Sequence, residues 1–139
     1  MAEIFADTGY WIALLNPADP LHPRARELGV ALQRETIVTT EMIFAELLNH
    51  ESRSGAAKRR LTAQAVATWT ANRRVNVLPQ TTRQFHDALQ LYLARPDQAW
   101  GLVDCASFLA MEQRGIREAL AYDRHFQQAG FTALLRETR

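Results

Sequence analysis

Cysteine is almost missing from this 139-residue chain. Cys105 stands alone, so no internal disulfide can form, as expected of a protein kept in a reducing cytoplasm. Long apolar runs are missing too. The apolar start, Met1 to Leu15, is interrupted by Glu3 and Asp7 and lacks a Lys/Arg cluster. That pattern fits neither a signal peptide nor a bilayer-spanning helix, and no membrane association is expected. No repeat, low-complexity tract or Ser/Gly linker marks a boundary, so residues 1–139 read as a single domain. Lysine is nearly absent, with Lys58 the one copy.

What is present is apolar material, 47% of the residues. A domain of this size buries roughly two-thirds of its unfolded surface, enough for a core without disulfides or a structural metal. The net charge of +1 says nothing by itself about nucleic acid. Arg53, Lys58, Arg59, Arg60, Arg73 and Arg74 crowd one third of the chain. Such a run is first a solvated helix face and only second a phosphate-contacting surface.

Short apolar runs alternate with helical stretches. Ile4-Phe5-Ala6 reads as a buried strand ending at Asp7. A loop at Asn16-Pro17-Ala18-Asp19-Pro20 leads into a helix reaching about Arg34. The β-branched Thr36 to Thr40 reads as a second strand, followed by helices from Glu41 to about Ser52 and from Ala56 to Arg74. Val75 to Pro79 is a third strand, and Thr81 caps a helix that Pro96 closes off. A helix to Arg114 stops at Gly115. Ala119 to Tyr122 is a fourth strand ending at Asp123, and Phe131 to Leu135 a possible fifth. Strands separated by helices predict an α/β domain, a mostly parallel sheet of four to five strands covered on both faces. Such sheets gather ligands at the carboxyl ends of their strands, where Asp7 and Asp123 fall.

Four carboxylates lie inside apolar sequence, where an unpaired charge costs several kcal/mol or takes up a proton. Glu46 sits in Met42-Ile43-Phe44-Ala45-Glu46-Leu47-Leu48, and Asp104 in Leu102-Val103-Asp104-Cys105-Ala106. Asp7 and Asp123 each follow an apolar strand. Singly, each has an ordinary explanation. Asp7 and Asp123 could cap turns. Asp104 could serve the third position of a helix capped by Gly101. Glu46 could pair with His50 one turn on. None of these readings explains the other three acids. All four are explained if they meet around a divalent cation. A carboxylate set without histidine or thiolate suits Mg²⁺ or Mn²⁺ rather than zinc, and such an ion suits phosphodiester hydrolysis.

These residues carry a resemblance. Asp7-Thr8 after the first strand, Glu46 before Leu47-Leu48-Asn49, the run Leu102 to Phe108, and Tyr122-Asp123-Arg124-His125-Phe126 look like the PIN domain. Within it they look most like the toxin nucleases of VapBC toxin–antitoxin modules. The resemblance spans Phe5 to Leu135. It implies a three-layer α/β/α fold, Mg²⁺- or Mn²⁺-dependent cleavage of RNA, a homodimer, and inhibition by a cognate antitoxin. It also implies that Asp7, Glu46, Asp104 and Asp123 are catalytic, that Asp7, Asp104 and Asp123 hold metal, and that Thr8 helps to order metal-bound water. Gly101 departs from the pattern, standing where members often carry Ser or Thr.

Other residues are expected to be structural. His22 and His125 are assigned surface or structural places, and Trp11, Trp69 and Trp100 core or dimer packing. Cys105 is assigned an inert place in a helix, and Asn49 and Thr40 possible places behind the acids. Two rival functions remain. Phosphoryl transfer through an aspartyl phosphate wants a second acid where Gly9 stands, or a lysine near the site, and Lys58 lies far from any strand end. A binding module without catalysis would keep four crowded acids to no purpose. A housekeeping RNA-processing nuclease would share the chemistry of a toxin.

Overall fold

The computed structural model describes residues 2–136. Its chain order is β1 (Glu3–Ala6), α1 (Thr8–Leu15), α2 (His22–Ala31), β2 (Thr36–Thr40), α3 (Glu41–Glu51), α4 (Ala56–Ala71) and β3 (Val75–Leu78). Then follow α5 (Thr82–Ala94), α6 (Leu102–Arg114), β4 (Glu118–Leu120), α7 (Arg124–Gln128) and β5 (Thr132–Ala133). The five strands form one sheet in the order β3-β2-β1-β4-β5, and every pair is parallel. The expected α/β class and the three layers are present.

Right-handed crossovers on this strand order put α1–α4 on one face of the sheet and α5–α7 on the other. The packing agrees: α1 lies against α2 and α3, α3 against α4, α5 against α6, and α6 against α7. Each face has its own aromatic cluster. Trp11 packs on Phe44 and Trp69 at 5.4 and 4.5 Å between ring centres. Across the sheet, Phe108 packs edge-on against Trp100 and Phe126, both at 5.0 Å. The tryptophans are core residues, as the sequence suggested, with Trp11 and Trp100 buried and Trp69 partly so.

The chain leaves β1 toward β2 on one side and leaves β4 toward β5 on the other. A crevice therefore opens between the carboxyl ends of β1 and β4, the kind of position where open α/β sheets bind ligands. Asp7 and Asp123 sit at this point. The Asp7 N–H donates to the Leu120 carbonyl at 3.1 Å, fixing the register of the two strand ends.

Several boundaries differ from those read in the sequence. The second helix ends at Ala31 rather than Arg34, and α4 at Ala71 rather than Arg74. There Asn72 takes an extended backbone, its side chain accepts from the Arg74 N–H, and Arg74 donates to the Leu32 and Glu35 carbonyls. β4 starts one residue earlier and stops at Leu120. β5 is two residues long. Helices α1 and α7 were not read from the sequence. The basic run divides, because Arg74 ties the segment between α2 and β2 through the Leu32 and Glu35 carbonyls while Arg59 closes the α3–α4 turn through the Ser52 carbonyl. No helix among the described residues is long and apolar enough to cross a membrane.

Candidate active site

Each acid reaches the crevice from a different element. Asp7 precedes α1, yet its side chain makes no capping bond to that helix. Turn capping, its ordinary explanation, does not hold. Burial pushes its carboxyl up to about 7, the Thr8 N–H opposes the rise, and the charges of Asp104, Glu46 and Asp123 add to it. An acid with this little compensation waits for a proton or a cation.

Asp104 occupies the third position of α6, and its Oδ2 accepts the Gly101 N–H at 3.0 Å. Glycine has no side chain to complete a reciprocal cap, so only half of a capping box is made. The helix role is real, and it engages only Oδ2. Burial raises this carboxyl as well, the Gly101 N–H lowers it, Asp123 and Glu46 raise it, and His125 lowers it. Asp123 precedes α7 and accepts the His125 N–H through Oδ1 at 3.0 Å, so it too caps a turn while standing in the cluster.

Glu46 does not pair with His50. His50 turns to Glu51 at 3.3 Å, and the Glu46 carboxylate instead accepts a hydrogen bond from the Thr8 hydroxyl. Thr8 is buried at the start of α1 and Glu46 is exposed on α3. Thr40 is not behind the acids: its hydroxyl caps α3 by accepting from the Ile43 N–H at 3.1 Å. Asn49 is exposed near the end of α3, beside Arg59 and Arg60. Cys105 is buried one residue from Asp104, and burial pushes its thiol up, which keeps it inert.

One residue at the site was assigned elsewhere by the sequence reading. His125 stands beside the acids, and ligand atoms of Asp104, Asp123 and His125 all lie within 4.8 Å of one another. His22 is structural, its ring Nδ1 lying 2.6 Å from the Ala13 carbonyl. The signal that separates the two histidines is position: His125 follows a strand-end aspartate by two residues, and α7 turns it back over that acid.

A parallel sheet with acids from β1, α3, α6 and β4 at one switch point defines a class, and the sequence matches the PIN domain over residues 4–132. The chain belongs to the PIN-domain family. Within it, the kinship is with VapC-like nucleases. The chain is 30% identical over 129 residues to the "23S rRNA-specific endonuclease VapC20" of Mycobacterium tuberculosis strain CDC 1551 / Oshkosh, covering 92% of this chain and 95% of that protein. The same figures hold for VapC20 of strain ATCC 25618 / H37Rv. The crystal structure of M. tuberculosis VapC20, described as a Sarcin-Ricin loop cleaving toxin, superposes with a TM-score of 0.81 at 27% identity, over 93% of this chain and 96% of that one.

Proposed function

We propose that this protein is a Mg²⁺- or Mn²⁺-dependent endoribonuclease and the toxin of a type II toxin–antitoxin pair. The single observation that carries the metal and site assignment is geometric: ligand atoms of Asp104, Asp123 and His125 lie within 4.8 Å of one another, and the buried Asp7, whose carboxyl is pushed up to about 7, stands beside them. Native proteins keep such clusters for a purpose, because the mutual repulsion is otherwise a cost. The donor set fits a hard divalent ion: carboxylate oxygens from three separate elements, with no thiolate facing them.

In this reading Asp7, Asp104 and Asp123 hold the metal, and Glu46 orients the attacking water. A bound ion of this type lowers the pKa of water and polarises a phosphoryl oxygen. Thr8 fixes the direction of Glu46, so the carboxylate meets the water in one geometry rather than swinging free. Asp104 and Asp123 are each held by one backbone N–H, through Oδ2 and Oδ1, which leaves oxygen lone pairs for the cation. The acids would repel a phosphodiester without the cation, so RNA approaches only the loaded site.

Kinship supports the finer points. The similarity to VapC20 supports RNA as the substrate and a cognate antitoxin as a partner; a homodimer and action in the cytoplasm rest on the family resemblance alone. The similarity makes ribosomal RNA of the large subunit the first substrate to test. The test is cleavage of ribosomes and of isolated ribosomal RNA by the purified chain. Cutting should stop with EDTA, return with Mg²⁺ or Mn²⁺, and vanish in Asp7→Asn. An Asp7→Asn protein as fast as the parent would overturn the site assignment.

A further inference from the structure

We infer that His125 supplies a nitrogen ligand to the cation, held in the required tautomer by Gln128 and Trp100, and that it tilts the site toward Mn²⁺ over Mg²⁺. This rests on the metal-centre reading above.

The tautomer follows from an obligate donor. An indole N–H donates and never accepts. The Trp100 Nε1 lies 3.1 Å from Gln128 Oε1, so the amide atom facing it is the oxygen. The same Oε1 lies 3.1 Å from His125 Nδ1. An oxygen without hydrogen leaves Nδ1 as the donor. The other ring nitrogen, Nε2, stands 3.5 Å from Asp123 Oδ1, and ligand atoms of His125, Asp123 and Asp104 all lie within 4.8 Å of one another.

A cation that displaces any proton on Nε2 would meet a lone pair aimed at the Asp123 carboxylate. Around a bare cluster that arrangement is repulsive, and around a cation it is a ligand set. Histidines that bind metals usually donate their other N–H to an acceptor that fixes the ring, and Gln128 occupies that place. The chain of contacts is anchored deeply. Trp100 is buried, packs edge-on against Phe108, and carries the Arg95 guanidinium over its ring at 4.8 Å. A rigid core tryptophan thus sets the orientation of a site residue through one amide.

The consequence for metal choice follows from ligand softness. Oxygen donors suit Mg²⁺ and Mn²⁺ alike, whereas imidazole favours the transition ion. The opposing reading makes His125 a doubly protonated counter-ion between Asp104 and Asp123. The two readings predict opposite signs, because removing a ligand weakens metal binding and removing a positive charge strengthens it.

The experiment is a pair of thermal-melting titrations on the full chain, one with Mn²⁺ and one with Mg²⁺, for the parent, His125→Ala, Gln128→Leu and Gln128→Glu. The parent should respond at lower Mn²⁺ than Mg²⁺. His125→Ala should raise the Mn²⁺ requirement about tenfold and the Mg²⁺ requirement by less, and Gln128→Leu should follow in part. Gln128→Glu keeps the acceptor and should keep the preference. In the metal-free parent, long-range ¹⁵N–¹H NMR should place the His125 proton on Nδ1, a readout that needs no variant to fold. A proton on Nε2, or unchanged or tighter binding of both ions in His125→Ala, overturns the inference alone. A parent that melts identically with and without either ion overturns the metal-centre reading as well.

Discussion

The Thr8 hydroxyl donates to the Glu46 carboxylate, joining the first turn of α1 to the middle of α3 across 38 residues of sequence. The bond runs from a buried donor to an otherwise exposed acid, so it holds a side chain that would move freely in water. Thr8→Val removes the hydroxyl at nearly constant volume. Losing that orientation should remove about 1.4 kcal/mol of transition-state stabilisation, so the rate of RNA cleavage should fall roughly tenfold. The melting temperature should hardly change, because Glu46 stays solvated, and Thr8→Ser should restore most of the rate. Single-turnover kinetics on the three proteins would decide this, and an unimpaired Thr8→Val enzyme refutes the positioning role.

Stability without metal should depend on pH through Asp7. Its carboxyl titrates near 7 in the fold, against about 4 in an unfolded chain. The folded state therefore binds the proton more tightly. That contribution is complete below about pH 4 and is lost as pH rises through 7. The loss is on the order of a few kcal/mol. Urea unfolding in EDTA at pH 5, 7 and 8.5 should show the decline, and Asp7→Asn should flatten it while abolishing cleavage. A parent curve with no such fall would count against the burial of Asp7 as a charged group.

Adding metal should reverse that trend. A cation favours the ionised acids, so Mg²⁺ should stabilise the protein more at pH 8 than at pH 6. An ion present at a hundred times its dissociation constant adds about 2.7 kcal/mol. Melting temperatures across a Mg²⁺ series at both pH values provide the measurement.

Asp104 caps α6 and, in the proposed centre, would hold the cation, and the two roles can be separated. Asp104→Asn retains an oxygen for the Gly101 N–H, so α6 should remain capped. The cation, however, loses a charged ligand. Cleavage should drop by at least the roughly 10–100-fold typical of residues behind metal ligands, with circular dichroism unchanged. Gly101→Ser tests the other duty. A Cβ there would find its nearest neighbour, Asp104 Oδ2, at 3.8 Å, and the backbone is extended, so the serine fits. A serine cap should add a few tenths of a kcal/mol in a denaturant melt.

Much of this architecture was legible because the strands are short, apolar and each followed by a residue that breaks the pattern. β1, β2 and β3 were placed within a residue or so of their ends, and Thr81 and Gly115 bound their helices as expected, Gly115 with a left-handed φ of 68°. Helix α1 was hidden because Thr8–Leu15 is apolar on all sides, so no periodic stripe distinguishes helix from buried strand. Helix α7 is five residues long and too short for any period to show. The four acids were found by asking which charges lie in apolar surroundings. His125 escaped that question, since a lone histidine in a polar stretch carries no such contrast. Its place depends on the fold of α7 and on the amide of Gln128, neither of which a linear pattern contains. The ordinary alternative for Glu46, pairing with His50 at a spacing of four, does not hold because Thr8 reaches it from the first turn of α1, a contact no local spacing contains.

The strand order carries a consequence for biosynthesis. β4 must insert beside β1, and Asp123 follows β4, so Asp7, Glu46 and Asp104 remain an incomplete set for the proposed centre until Asp123 has left the ribosome. No nascent or truncated fragment short of that point holds a working centre. On the proposed assignment, activity begins only once translation has passed the fourth strand, and premature termination yields inactive products.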